Sequence, residues 1–247
     1  MEMFVAVTRH VSPESLDSSD LNKIITCAHI FFSNSKFKDG DDIGFYHELM
    51  YKKMVSEFPM NFTHFLDFSD TPTSEFKSTR MLKRHCQQRA DRYGIYCDKA
   101  YYASYHACGI QDQTISTVKS AITKGKNENL FLKSKEEFVE YIEETLDMHL
   151  EGKTVNHRFL YAVNVDDIPR QLKSELPTAS GIKKTFFVQT HLSGTFKKRP
   201  SGRKRVKLGR HCIFREALCV CQKCFIDRDY ESCDNKEQSA ILIRHAF

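Results

Sequence analysis

FLDFSDTPTSEFKSTRMLKRH, residues 65–85, is the stretch that sets the expected fold. With Thr63 and His64 before it, its opening THFLDF is a short run that predicts a strand. Ser69, Asp70 and Pro72 break that run, and Ser74 to Tyr93 predicts a basic helix. A strand handed to a helix is half of a crossover unit, and the hand-over recurs along the chain. Upstream, MFVAV (3–7) and IITCAHIFF (24–32) read as strands. GFYHELMYKKMVSEF (44–58) places Phe45, Leu49 and Met50 on one helical face, with Val55 further along, and Pro59 stops it. Downstream, YYASY (101–105) reads as a strand and Asp112 to about Lys124 as a helix. A capping box, Ser134 with Glu137, opens another helix expected to run to about Leu150. RFLYAVNV (158–165) and KTFFVQT (184–190) complete the set as strands. The alternation after residue 20 predicts an α/β sheet with helical crossovers. No internal repeat or low-complexity tract interrupts it.

A chain of 247 residues, 40% apolar and 12% aromatic, has enough material for a core, which excludes a disordered chain. IITCAHIFF, the longest apolar stretch, is less than half a membrane span. MEMFVAVTRH carries Glu2 and no apolar core, so it does not read as a secretory signal. A soluble intracellular protein is expected. In that setting nine cysteines predict thiols or metal ligands more than disulfides.

The net charge of +5 is unevenly spread. Up to Ser180 there are 22 basic and 26 acidic residues, whereas Gly181–His211 holds ten basic residues and no acid. Such a block reads as a polyanion contact or a nuclear address.

Two stretches of the α/β region carry candidate chemistry. Asp70 follows a strand and precedes a helix, where open α/β sheets gather ligands and an acid can hold Mg²⁺. The plainer alternative is an Asx turn or helix cap before Pro72. In YYASYHACGIQDQTISTVKS (101–120), His106 and Cys108 form a weak nucleophile pair, since a spacing of two on an extended chain guarantees no hydrogen-bonding geometry between them. Asp112 again precedes a helix.

Together these stretches resemble transposase-like proteins of animal mobile elements, whose core is ribonuclease-H-like. That family's pattern is an apolar strand ending F-S-D-G, then Q-[FY]-K, and later H-G-K-G-x-x-D-G-x-G-G-x-V-K. Phe68, Ser69, Asp70, Phe76 and Lys77 match the first part, and His106, Gly109, Asp112, Val118 and Lys119 the second. KKTFFVQTH before a C-x-C-x-x-C cluster is similar to the family's tail. The departures are Thr71 for glycine, Ala107 and Cys108 in H-G-K-G, and Gln113, Ile115 and Ser116 for the later glycines. Glycines there would let a backbone approach a phosphate. The resemblance also implies a first catalytic acid on a strand preceding Met1, expected to be missing, and S-D-D where this chain has Ser33, Asn34 and Ser35. Two-metal phosphoryl transfer needs several carboxylates around ions about 3.5–4 Å apart. Asp39, Asp41 and Asp42 of KDGDD are substitutes in principle, but read more simply as a solvated loop.

GTFKKRPSGRKRVKLGR holds Lys197, Lys198, Arg199, Arg203, Lys204, Arg205, Lys207 and Arg210 among three glycines and a proline, which predicts an arm or hairpin over a helix. Its cations can displace counterions from a nucleic-acid backbone, or serve as a nuclear address. Lys77, Arg80, Lys83, Arg84, Arg89 and Arg92 offer a second basic surface, or only a solvated helix face. Cys219, Cys221, Cys224 and Cys233 have the spacing to close a tetrahedral Zn²⁺ site, with His211 and Cys212 in reserve; the alternative is reduced structural cysteines.

The expected architecture is a partial ribonuclease-H-like mixed α/β sheet over 1–180, a basic arm or hairpin over 181–211, and a Cys-rich zinc-binding tail over 212–247. The expected function is DNA binding in the nucleus by a transposase-derived chain that has lost catalysis, with Lys77 and Lys119 joining the arm. RNA is the open alternative to DNA. Asp70, Asp112 and His106 are then vestigial. One competing reading is an active Mg²⁺-dependent transposase or nuclease. The other is a zinc-stabilised interaction module with a nuclear address. Zinc is expected as a structural cofactor, and Mg²⁺ only if the core is active.

Overall fold

The computed structural model describes residues 2–11, 24–36, 39–58, 62–69, 93–101, 109–127, 134–148, 150, 155–170, 187–191, 211–215, 221–227 and 232. The chain divides into two compact units. The first comprises 1–37, 49–60 and 108–169; the second comprises 38–48, 61–107 and 170–247. The mixed α/β class expected from the sequence is present, with its strands distributed over two sheets.

In the first unit, β1 (Glu2–Val11), β2 (Ile24–Ser33) and β5 (His157–Val163) form one sheet in the order β1-β2-β5. β1 runs antiparallel to β2 from Glu2↔Ser33 to Val11↔Ile24, and β5 runs parallel to β2 from Cys27↔His157 to Ser33↔Val163. A central strand with cover on both faces should read as a nearly continuous apolar run, and IITCAHIFF does. From Thr26 to Ser33 every residue of β2 is buried.

On one face of β2, Ile30 and Phe32 pack with Val118 and Ala121 of α2 (Ile110–Asn127) and Ile142 of α3 (Lys135–Thr145). Fully burying side chains of this size contributes about 1.5–3 kcal/mol each. Gly125 lets the helices approach closely, because a Cβ there would lie 2.9 Å from the Tyr141 hydroxyl oxygen. The opposite face meets the second half of α1 (Gly40–Glu57), where Met54 touches Thr8.

Ser134 caps α3 as expected, accepting the Glu137 backbone N–H at 3.0 Å. The helix ends at Thr145 and not near Leu150. Backbone groups just beyond it are drawn to the start of β5: Leu150 N–H donates to the Asn156 carbonyl and Arg158 N–H to that of Met148.

In the second unit, β3 (His64–Ser69), β4 (Tyr96–Tyr101), β6 (Phe187–His191) and β7 (His211–Arg215) pair in that order. β3 and β4 are parallel, while β4–β6 and β6–β7 are antiparallel. The strand expected at 101–105 is formed by YCDKAY, of which only Tyr101 is shared; 102–105 lie outside the described residues. Asp98 and Lys99 disguised it, since two charges in mid-strand argue against a buried strand. Both are nonetheless buried. The expected 74–93 helix lies outside the described residues apart from Tyr93. A short helix, α4 (Gln222–Phe225), follows β7.

Candidate functional site

Asp112 is the one candidate carboxylate of the resemblance whose position is described. It stands in the first turn of α2, exposed, and its side chain accepts the Gly109 backbone N–H at 3.2 Å. The backbone N–H of Asp112 in turn donates to the Gly109 carbonyl at 3.1 Å. An acid in this place satisfies an unpaired helix-start donor and complements the positive end of the helix dipole. Asp70 and His106 lie outside the described residues. Asn34 accepts the Val165 backbone N–H at 2.8 Å, tying the end of β2 to the turn after β5.

KDGDD is corrected by the structure. It opens α1, where Asp41 and Asp42 are fully buried. Asp39 accepts the N–H groups of Asp41 (2.8 Å) and Asp42 (3.3 Å), and its own N–H donates to the Asp42 carboxylate at 2.9 Å. This is a capping box built from two aspartates. Arg170 grips it, donating to Asp39 at 3.0 Å and forking onto both Asp42 oxygens at 2.9 and 3.3 Å. Burial pulls the Arg170 value down, but the Asp42 hydrogen bond and the charges of Asp42, Asp39 and Asp41 outweigh it and raise it. The Asp39 and Asp42 carboxylates are committed to an arginine.

The same unit buries a second charge pair. Lys99 on β4 is fully buried and donates to Asp67 on β3, with His47 of α1 3.8 Å from the same carboxylate oxygen. The Lys99 ammonium also lies 5.4 Å from the Tyr101 ring centroid.

In the first unit the buried polar group is neutral. His29 on β2 bonds Thr8 through Nε2 at 3.0 Å and Tyr161 through Nδ1 at 2.8 Å. Burial, reinforced by His10 and Lys53, lowers its value to about 3. Burial likewise pushes the neighbouring Cys27 thiol up to about 12, against a lowering hydrogen bond from Thr8.

The basic candidates fall partly inside and partly outside the described residues. Lys119 is exposed on α2 and, with Ser120, Thr123, Lys124 and Asn127, lines a shallow groove of about 490 Å³ that is widely open to solvent. In the sequence Lys124 reads only as the end of a helix, although that helix carries a single acid and its lysines flank one exposed polar face. Lys77 and the run Lys197 to Arg210 lie outside the described residues. The strands flanking that run are described, and they pair with His191 opposite His211. Residues 192–210 therefore connect two antiparallel neighbours.

Of the four candidate zinc ligands, Cys221 and Cys224 are described. Cys221 is the N-cap of α4, and Cys224 is buried in its first turn. N-cap and N3 side chains converge on the same helix end, the relation a capping box uses. Cys219 and Cys233 lie outside the described residues, and among the described residues no group of three or more His, Cys, Asp or Glu is placed to hold a metal ion.

The profile of a family described as a domain of unknown function, DUF8701, matches residues 13–196. No curated protein matches the chain, and no solved structure does.

Proposed function

The chain belongs to the DUF8701 family, and we propose that it is a transposase-derived nucleic-acid-binding protein with a ribonuclease-H-like ancestry, no longer competent to cut strands. The observation that carries the reading is the β6–β7 ladder around residues 192–210, which contain eight lysines and arginines and no acid. A run tethered at both ends loses less freedom on meeting a polyanion than a free tail does. Its cations contact DNA phosphates by releasing counterions, with little sequence preference. They also suit a nuclear address.

Loss of catalysis is supported by how the described residues are used. Asp112 accepts an N–H at the start of its own helix, and Asn34, which the resemblance aligns with a carboxylate, accepts the Val165 N–H instead. A two-metal centre stabilises both attacking and leaving oxygens, so a missing ligand costs orders of magnitude in rate. The chain's own contribution is then binding alone. Cys219, Cys221, Cys224 and Cys233 would hold one structural Zn²⁺, whose binding supplies folding free energy to the tail.

The test is binding of labelled duplex DNA across a salt series. Replacing Lys197, Lys198, Arg199, Arg203, Lys204 and Arg205 by glutamine should weaken binding to all sequences and flatten the salt slope by about 0.9 for each phosphate no longer neutralised. An unchanged affinity and slope would leave the run as an address only. Metal analysis under reducing conditions should find one zinc per chain, removed by Cys221→Ser with Cys224→Ser. Zinc-free wild-type protein sinks that part of the reading.

A further inference from the structure

From the outer face of α2 we infer a second nucleic-acid contact, a shallow groove that lies against a DNA sugar–phosphate backbone between two lysine edges; it rests on the reading that the chain binds nucleic acid. The helix is divided lengthwise. Thr114, Val118, Ala121 and Gly125 are buried, and Val118 and Ala121 belong to the core cluster with Ile30, Phe32 and Ile142. The other side exposes Gln113, Ser116, Lys119, Ser120, Thr123, Lys124, Lys126 and Asn127. The only acid of the helix is Asp112, in its first turn and engaged with Gly109.

At about 100° per residue, Lys119 and Lys126 fall along one edge of that face and Lys124 along the other. Ser120, Thr123 and Asn127 lie between them, short and uncharged, and with Lys119 and Lys124 they line the groove of about 490 Å³. The Ser120 hydroxyl donates to the Ser116 carbonyl at 3.0 Å and Thr123 to that of Lys119 at 2.9 Å. The hydroxyls are thereby drawn onto the helix, which leaves the lysine ammoniums as the groove's charged donors, with the Asn127 amide as a neutral one.

Among the described residues none of the three lysines is paired with a carboxylate. A rise of 1.5 Å per residue separates Lys119 and Lys126 by about 10 Å along the axis. Phosphates of one B-form strand rise about 3.4 Å each along the duplex axis, and each of the three flexible cations can neutralise at most one of them. A lysine is a flexible point charge that binds phosphate without reading sequence. Lys124 and Lys126 also complement the negative end of the helix, a role affecting stability that does not require a ligand.

The experiment uses the full chain and labelled duplex DNA over a salt series, with single-stranded RNA of equal length as a second probe. Lys119→Gln, Lys124→Gln and Lys126→Gln are combined, alone and with the neutralised 197–205 run, and a Lys→Arg triple is the charge-retaining control. Circular dichroism and melting establish that each variant is folded. The glutamine triple should weaken duplex binding about tenfold at low salt and reduce the salt slope by about 2–3. The arginine triple should bind like the wild type, and the combined variant should lose the binding that survives in the arm variant.

Wild-type affinity and slope in the glutamine triple, with the arm variant impaired, overturns the groove and leaves the proposed function standing. A deficit for RNA alone overturns the DNA assignment. If the wild-type chain binds no duplex at all, the proposed function fails and the groove fails with it.

Discussion

In the first unit β2 carries His29 at the centre of its sheet as a neutral ring, held between Thr8 and Tyr161. In the second unit β4 carries Lys99 at equal depth, as half of an ion pair with Asp67. Both side chains are fully buried. One remains tolerable because it is uncharged and bonded at both nitrogens. The other remains tolerable because an opposite charge replaces the lost water. The second unit repeats its own device at the start of α1, where Arg170 neutralises Asp39 and Asp42. Polar groups inside a small sheet can thus be managed by neutrality or by pairing, and the two solutions fail under different insults.

The largest effect should come from breaking the pair. Asp67→Ala leaves the Lys99 ammonium buried without its carboxylate and should cost about 3–5 kcal/mol in denaturant unfolding. Asp67→Leu combined with Lys99→Met should recover most of that, because two apolar residues leave no stranded charge. A double variant as unstable as Asp67→Ala would show that packing, and not charge, decides the site.

Acid should discriminate the units next. The unfolded chain protonates His29 near the ordinary value of about 6.5, whereas the folded chain refuses the proton until about 3. Protons therefore favour unfolding below about 6.5: stability is full above it and is lost as pH falls, with a slope approaching about 1.4 kcal/mol per pH unit. His10, lowered by burial and then by His157, adds in the same direction. Melting temperature measured from pH 7 to 4 should fall less steeply in His29→Leu than in the wild type. Parallel profiles would remove His29 as the source.

The smallest effect belongs to a residue that the transposase resemblance would make catalytic. Asp112→Ala should cost about 0.3–1 kcal/mol, the usual loss for an exposed acid in the first turn of a helix. Wild-type chain should not nick a plasmid with Mg²⁺ or Mn²⁺. Metal-dependent nicking abolished by Asp112→Ala would return the residue to catalysis.

Local patterns were legible where local physics dominates. Ser134 and Glu137 announced a helix start that needs only its own first turn. IITCAHIFF announced a strand, and the structure added that it is buried on both faces from Thr26 to Ser33. Partners distant in sequence hid the rest. KDGDD reads as a wet loop until Arg170 is brought to it. Asp98 and Lys99 erase a strand signal until Asp67 sits opposite Lys99 in the ladder. Lys119 was singled out, whereas Lys124 entered only when the groove between them was formed. The basic run was read as an arm or hairpin, and the His191↔His211 pairing shows that its flanks belong to neighbouring strands.

By itself, then, the sequence determined the mixed α/β class, the strand at β2, the capped start of α3 and the concentration of charge between Gly181 and His211. These follow from spacing and composition within about a dozen residues, the range over which side-chain periodicity and capping act. Tertiary structure alone decided that β2 would pair with β5 while β3 and β4 joined β6 and β7 in a separate sheet. It also decided which charges could be buried. Backbone hydrogen bonds are the same for every strand, so strand choice rests on long-range packing, and a buried charge is tolerable only beside the opposite charge that the fold delivers.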